Sequence, residues 1–200
     1  MKQILAAAAV AWMGAVAVAP NAHAGAAYII TVMEDGSNVD FLGRGNFDLT
    51  GFSLGDANVT TYPAFLSDNI LISVGANGAG ADYYWQSAID GPASIDTKLF
   101  RNYLQGASSG DVGGFQINGP ALIVPAGYGS GTELSGTATA LNQTLDSIGL
   151  TPGVYTWTYG ASGANTLEID VVPPLPEPTS LMLFGLPAAF ALFARRRRRG

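Results

Sequence analysis

Two hundred residues with no cysteine, one histidine and a formal net charge of −6 exclude disulfides and every metal site built on thiolate. The charge is split along the chain: between residues 25 and 174 three cations, Arg44, Lys98 and Arg101, face fourteen Asp and Glu, a net −11, while five arginines crowd into 195–199. So acidic a body excludes nucleic acid as a partner, because phosphate contacts need clustered Lys and Arg.

At the start, Lys2 is followed by an uncharged run over 4–19 that breaks at Pro20 and reaches Ala22-His23-Ala24. This is the pattern of a secretory signal peptide over 1–24, a signal helix with the small residues Ala22 and Ala24 at the signal-peptidase site. Cleavage after Ala24 starts the mature chain at Gly25 and removes His23, the one histidine. Ser-His-Asp triads, Cys-His pairs and imidazole zinc sites are then all excluded. Carboxylates, hydroxyls and tyrosines remain for chemistry.

Residues 25–174 are enough for one domain that buries roughly 70% of its unfolded surface. Their apolar residues alternate or come in short runs bounded by Gly, Asn, Asp and Pro, which is the strand signature. The first predicted strand covers 27–33 and turns at Asp35-Gly36. The acidic stretch EDGSNVD over 34–40 carries oxygens enough for calcium but lacks the order of an EF-hand loop, and it reads as a solvated hairpin turn. Further strands are predicted at 46–54, with Phe47, Leu49 and Phe52 inward, and at 69–74, 82–87, 114–117 and 121–124. A single helical turn over 144–148 should end at Gly149 in the left-handed conformation. Leu150-Thr151-Pro152-Gly153 suits a type II turn. The hairpin 154–159 and 166–172 follows, with a glycine-rich loop over 160–165. In its second strand Leu167, Ile169 and Val171 share one face, Glu168 and Asp170 the wet one. Many short strands at regular spacing make the fold all-β, an antiparallel β-sandwich, jelly-roll-like or Ig-like.

Two aromatic groups invite a sugar-stacking platform: Tyr83, Tyr84 and Trp85, and Tyr155, Trp157 and Tyr159 on one strand face. Tyr83, Tyr84, Trp85 and Trp157 are therefore the candidate glycan contacts, against the plainer reading that aromatics on strands fill a core. A carboxylate pair for glycoside hydrolysis would come from Asp48, Glu133, Glu168 or Asp170, but nothing in the sequence sets their separation. Asn58-Val59-Thr60 and Asn142-Gln143-Thr144 fit the glycosylation acceptor pattern. No catalytic residue, metal site or cofactor is expected, calcium being the one ion for which oxygens are at hand.

After 174 the chain changes character. Residues 179–194 are apolar and, as a helix, span about 24 Å against a hydrocarbon core of about 30 Å. Pro187 weakens that helix, and Arg195, Arg196, Arg197, Arg198 and Arg199 hold its end in the cytoplasm. So short a transmembrane helix makes a poor permanent anchor in the inner membrane. Preceded by Pro176-Glu177-Pro178, the segment 175–200 resembles the PEP-CTERM sorting signal of Gram-negative bacteria. The resemblance implies cutting by an exosortase near Pro176, Glu177 and Pro178, and an association with exopolysaccharide and biofilm. A second resemblance covers 122–160, where LIVPAGYGSG and GLTPGVYTWTYG are similar to a recurring segment of exported PEP-CTERM proteins. Phe47-Asp48-Leu49-Thr50-Gly51 and Ser109-Gly110-Asp111 match other pieces of it. That segment carries no assigned activity. The chain is thus expected to be an exported, non-enzymatic protein of the cell surface or extracellular matrix, structural or adhesive towards polysaccharide. The alternatives are a secreted carbohydrate-active enzyme and a membrane-tethered glycan-binding module.

Overall fold

A computed structural model describes residues 27–174 except 87, 96 and 97. The chain opens with a hairpin of β1 (Ala27–Asp35) and β2 (Asn38–Gly45). Gly36, at φ 62°, supplies the positive φ that a two-residue hairpin turn needs. Tyr28, Ile30 and Val32 on β1 and Val39 and Phe41 on β2 are buried, so the sequence alternates as a half-buried pair should. The stretch 34–40, read from sequence as an acidic turn, is therefore mostly strand.

The strand expected at 46–54 does not form as such. Its first residues make a loop whose backbone donors go to side chains: Phe47 N–H to the Tyr128 hydroxyl at 2.9 Å, Asp48 N–H to the Tyr159 hydroxyl at 3.1 Å, and Leu49 N–H to Ser130 Oγ at 2.9 Å. Only β3 (Ser53–Leu54) pairs. Phe47 does point inward as expected, fully buried with its ring stacked 4.3 Å from that of Tyr28.

The remaining strands are β4 (Val59–Thr60), β5 (Ala64–Leu66), β6 (Leu71–Val74), β7 (Gly80–Trp85), β8 (Arg101–Tyr103), β9 (Ser108–Gly110), β10 (Gly113–Gln116), β11 (Ala121–Pro125), β12 (Leu134–Ala140), β13 (Gly153–Tyr159) and β14 (Asn165–Val171). One sheet runs β13-β14-β1-β2-β12-β9 and the other β3-β7-β11-β10-β6-β5-β8, with β4 beside β7. All the registered pairs are antiparallel save β1 with β14, which is parallel from Ala27↔Thr166 to Val32↔Val171. The expectation of a wholly antiparallel fold is corrected at that pair.

The inner faces of both sheets feed one core. Phe41 of β2 lies 6.2 Å from Phe65 of β5, and Phe115 of β10 lies 5.8 Å from Trp157 of β13, ring to ring. Each large side chain buried there contributes about 1.5–3 kcal/mol.

The expected helical turn is α1 (Leu145–Ile148). Thr144 Oγ1 accepts from Ser147 N–H at 3.1 Å, Ser147 Oγ accepts from Thr144 N–H at 2.8 Å, and Gly149 closes the turn at φ 80°. The type II turn with Pro152 and Gly153 at its centre is not formed: Gly153 has φ 154°, far from the value near 80° that the third position of such a turn requires, and it already pairs with Val171 as the first residue of β13.

Candidate functional site

The four proposed glycan contacts do not share a surface. Trp157 is a core residue at 0% exposure, its Nε1–H donating to the Pro92 carbonyl at 2.8 Å. A Cβ on Gly91 would meet its ring at 2.3 Å, so the backbone is moulded to it. Trp157 is thereby removed from the glycan set, and its strand neighbours Tyr155 and Tyr159 also pack against the core. Burial pushes the Tyr159 hydroxyl well above its ordinary pKa. Tyr84 also packs on the main core. Tyr83 and Trp85 stand on the opposite, outer face of their sheet, with ring centroids 6.4 Å apart. Tyr83 is half-buried against Ala81, Val112 and Ile123, and its hydroxyl lies 3.3 Å from Thr61 Oγ1. Trp85 is 38% exposed and lies against Gly55.

The carboxylates singled out in the sequence are engaged by structure rather than gathered in a cleft. Asp48 accepts from Thr50 N–H at 2.9 Å, Ser130 Oγ at 3.3 Å and Asn165 Nδ2 at 3.3 Å. Hydrogen bonds from Thr50, side chain first and backbone second, hold its carboxyl below the usual range. Glu133 accepts from Asn46 Nδ2 at 2.6 Å. Glu168 and Asp170 lie on the outer side of β14, opposite buried Leu167 and Ile169. In the acidic stretch, Glu34 accepts from Leu145 N–H and Asp40 from Thr139 Oγ1 at 2.7 Å. Among the described residues no group of three or more His, Asp or Glu is placed to hold a metal ion. One carboxylate that the sequence did not signal is Asp82: buried, it accepts from Asn58 N–H at 2.7 Å and Gly127 N–H at 2.8 Å, and so clasps two loops.

A surface feature that the sequence reading missed lies at the β8 edge. Two adjoining hollows, of about 320 and 180 Å³, share Tyr103 and Gln105. The larger is lined by Tyr62, Asn77, Tyr103, Leu104 and Gln105. The smaller adds Phe100, Asn102, Ala140 at the end of β12 and residues 141–143 after it. Tyr62 and Tyr103 are 48% and 62% exposed and meet edge to face at 5.9 Å. Neither hollow is lined by a charged residue. The walls are tied down by backbone: Ala64 pairs with Tyr103, Leu104 N–H donates to the Pro63 carbonyl at 2.8 Å, and Gly106 N–H to the Thr139 carbonyl at 2.8 Å. Asn142 holds φ 54° while its N–H donates to Asn38 Oδ1 at 3.1 Å. Nothing local in the sequence joins Tyr62 to Tyr103; the β5–β8 pairing does.

The remaining predicted sites, Ala22 and Ala24, Pro176, Glu177 and Pro178, and Arg195 to Arg199, lie outside the described residues. The last described stretch leaves β14 with Val172 N–H donating to the Val32 carbonyl at 2.8 Å and runs to Pro174. Among the described residues no helix is long and apolar enough to cross a membrane. Residues 174–199 match the PEP-CTERM protein-sorting motif. No curated protein and no solved structure matches the chain. The chain carries a PEP-CTERM sorting motif, which marks it for export, for membrane-associated processing by an exosortase and for the cell surface.

Proposed function

We propose that this chain is the precursor of a non-enzymatic β-sandwich protein that a Gram-negative bacterium places on its surface or in its extracellular matrix. Its role there is structural or adhesive, in association with the exopolysaccharide of a biofilm. In this reading signal peptidase cuts after Ala24. Residues 179–194 then hold the chain briefly in the inner membrane as a transmembrane helix, with Arg195 to Arg199 inside, until exosortase cuts near Pro176, Glu177 and Pro178. The observation that carries it is the sorting motif at 174–199, whose apolar part is too short for a comfortable permanent span.

Cell fractionation tests the reading. The unchanged chain should appear at the surface or in the matrix, while a chain with Pro176, Glu177 and Pro178 all changed to alanine should remain in the membrane fraction. Equal distribution of the two would contradict it.

A further inference from the structure

We propose that the twin hollow at the β8 edge is a binding site for a short run of a neutral polysaccharide, with Tyr62 and Tyr103 as stacking faces and the carboxamides around them as hydroxyl readers. The proposal rests on the adhesive reading of the domain and is independent of how the tail is processed.

The chemistry of the lining selects the ligand class. Tyr62 and Tyr103 meet edge to face, which leaves each with a ring face turned away from the other, and both are exposed far beyond what packing needs. A tyrosine ring is an apolar surface with a polar tip, matched to a pyranose, which has a C–H-rich face and a rim of hydroxyls. Around the rings stand Asn77, Asn102, Gln105, Asn142 and Gln143. A carboxamide offers two donors and one acceptor oxygen on a single plane, the complement of neighbouring hydroxyls that each donate and accept. Of these five, only Gln143 has its side chain engaged by another described residue, Oε1 accepting from Ser147 Oγ at 2.7 Å.

Charge excludes the ionic alternatives. An anionic polymer would find no cation in the lining and would approach a body of net −11, which repels it at long range. A cationic ligand would find no carboxylate in the lining either. Shape argues for an internal segment of a polymer rather than an enclosed small molecule. The hollows are open to solvent and adjoin at Tyr103 and Gln105, and the larger, at about 320 Å³, sits at the small end of ligand pockets. The site is also set in advance: the strand register of Tyr103, the two backbone bonds flanking Gln105 and the left-handed Asn142 fix the lining without a ligand, which lowers the ordering entropy that binding must overcome. Trp85, one of the four candidate contacts read from the sequence, lies against Gly55 and lines neither hollow.

The test is affinity electrophoresis of the full-length chain, kept in a sugar-free zwitterionic detergent, through gels containing dextran, laminarin or galactomannan, with alginate as the acidic comparison. Retardation by at least one of the three neutral polymers and not by alginate is expected. Tyr103→Ala and Tyr62→Ala should each weaken it by about tenfold or more, a loss of about 1.4 kcal/mol. Trp85→Ala should leave it unchanged, and all three variants should still unfold cooperatively. No retardation by any neutral polymer, retardation by alginate as strong as by the neutral polymers, or retardation that survives Tyr103→Ala and Tyr62→Ala would each overturn the proposal. Because the unprocessed chain is used, failure here is distinct from failure of the sorting reading, which cell fractionation tests separately.

Discussion

The hydroxyl of Tyr28 is enclosed where two glycines make room for it. A Cβ on Gly43 would lie 2.3 Å from that oxygen and one on Gly113 2.0 Å, and no described group hydrogen-bonds it. Burial, with the charge of Asp111 as a lesser cause, pushes its pKa far above the ordinary value. A buried polar group without a partner costs about 1–3 kcal/mol, so Tyr28→Phe should stabilise the protein by about 1 kcal/mol in urea unfolding. Gly113→Ala should destabilise it by about 1–3 kcal/mol through overpacking. A loss of stability in Tyr28→Phe would contradict this account of the slot. Asp48 works in the opposite sense. Its folded pKa lies below the unfolded value of about 3.9, so the stability it adds is present above that value and is lost as pH falls through the folded one. Asp48→Asn should therefore lower the melting temperature at neutral pH. The gap to the parent should close in melts recorded at progressively lower pH below about 4. A gap that stays constant down to pH 2 would show that Asp48 acts by something other than its charge.

At the scale of elements, β12 shows how a central strand can hide in a sequence. Its inward residues are Leu134, Gly136, Ala138 and Ala140, between outward Ser135, Thr137 and Thr139, so the alternation is present but three of the four inward residues are too small to register as hydrophobic. The smallness has a cause: a Cβ on Gly136 would meet the Asp111 carbonyl oxygen at 2.2 Å. Gly136→Ala should accordingly cost about 1–3 kcal/mol, read as a lower urea midpoint at unchanged slope; an unchanged midpoint would show that the strand can shift. Elsewhere the sequence was easier to read. The β13–β14 hairpin and α1 carry their own local signals, alternating large side chains in the one and Thr144 with Gly149 in the other. β2 was lost because the charges of Asp40 and Arg44 masked the inward Val39 and Phe41. The loop at 46–52 passed for a strand because Phe47, Leu49 and Phe52 imitate an inward face, although the N–H groups of Phe47, Asp48 and Leu49 donate to hydroxyls of distant residues and that of Phe52 donates to the Leu49 carbonyl. Trp157 and Trp85 looked alike in sequence as aromatics on strands, and only the packing of the two sheets buries one and exposes the other. The hollow was not legible at all, since its two tyrosines and five amides come from segments that meet only through the β5–β8 pairing and the turn after β12.

At the scale of the molecule, the parallel pairing of β1 and β14 decides where the tail begins. Ala27 and Val171 lie at opposite ends of adjacent strands, so the chain enters the sheet at one end and leaves it at the other. The leaving end is also that of the hollow, because Val39 pairs with both Glu34 and Ala140 beside the turn that lines it. A polymer held there would lie at the end of the sheet from which the chain leaves β14. In the proposed reading the acidic body, the short apolar segment and the five arginines would serve one sequence of events: export, a pause in the membrane with the positive end inside, and release. The intact mass of the protein recovered from the cells that make it tests that sequence most directly. A chain that begins at Gly25 and ends near Pro176, Glu177 and Pro178 is predicted, and a chain that still carries Arg195 to Arg199 would contradict it.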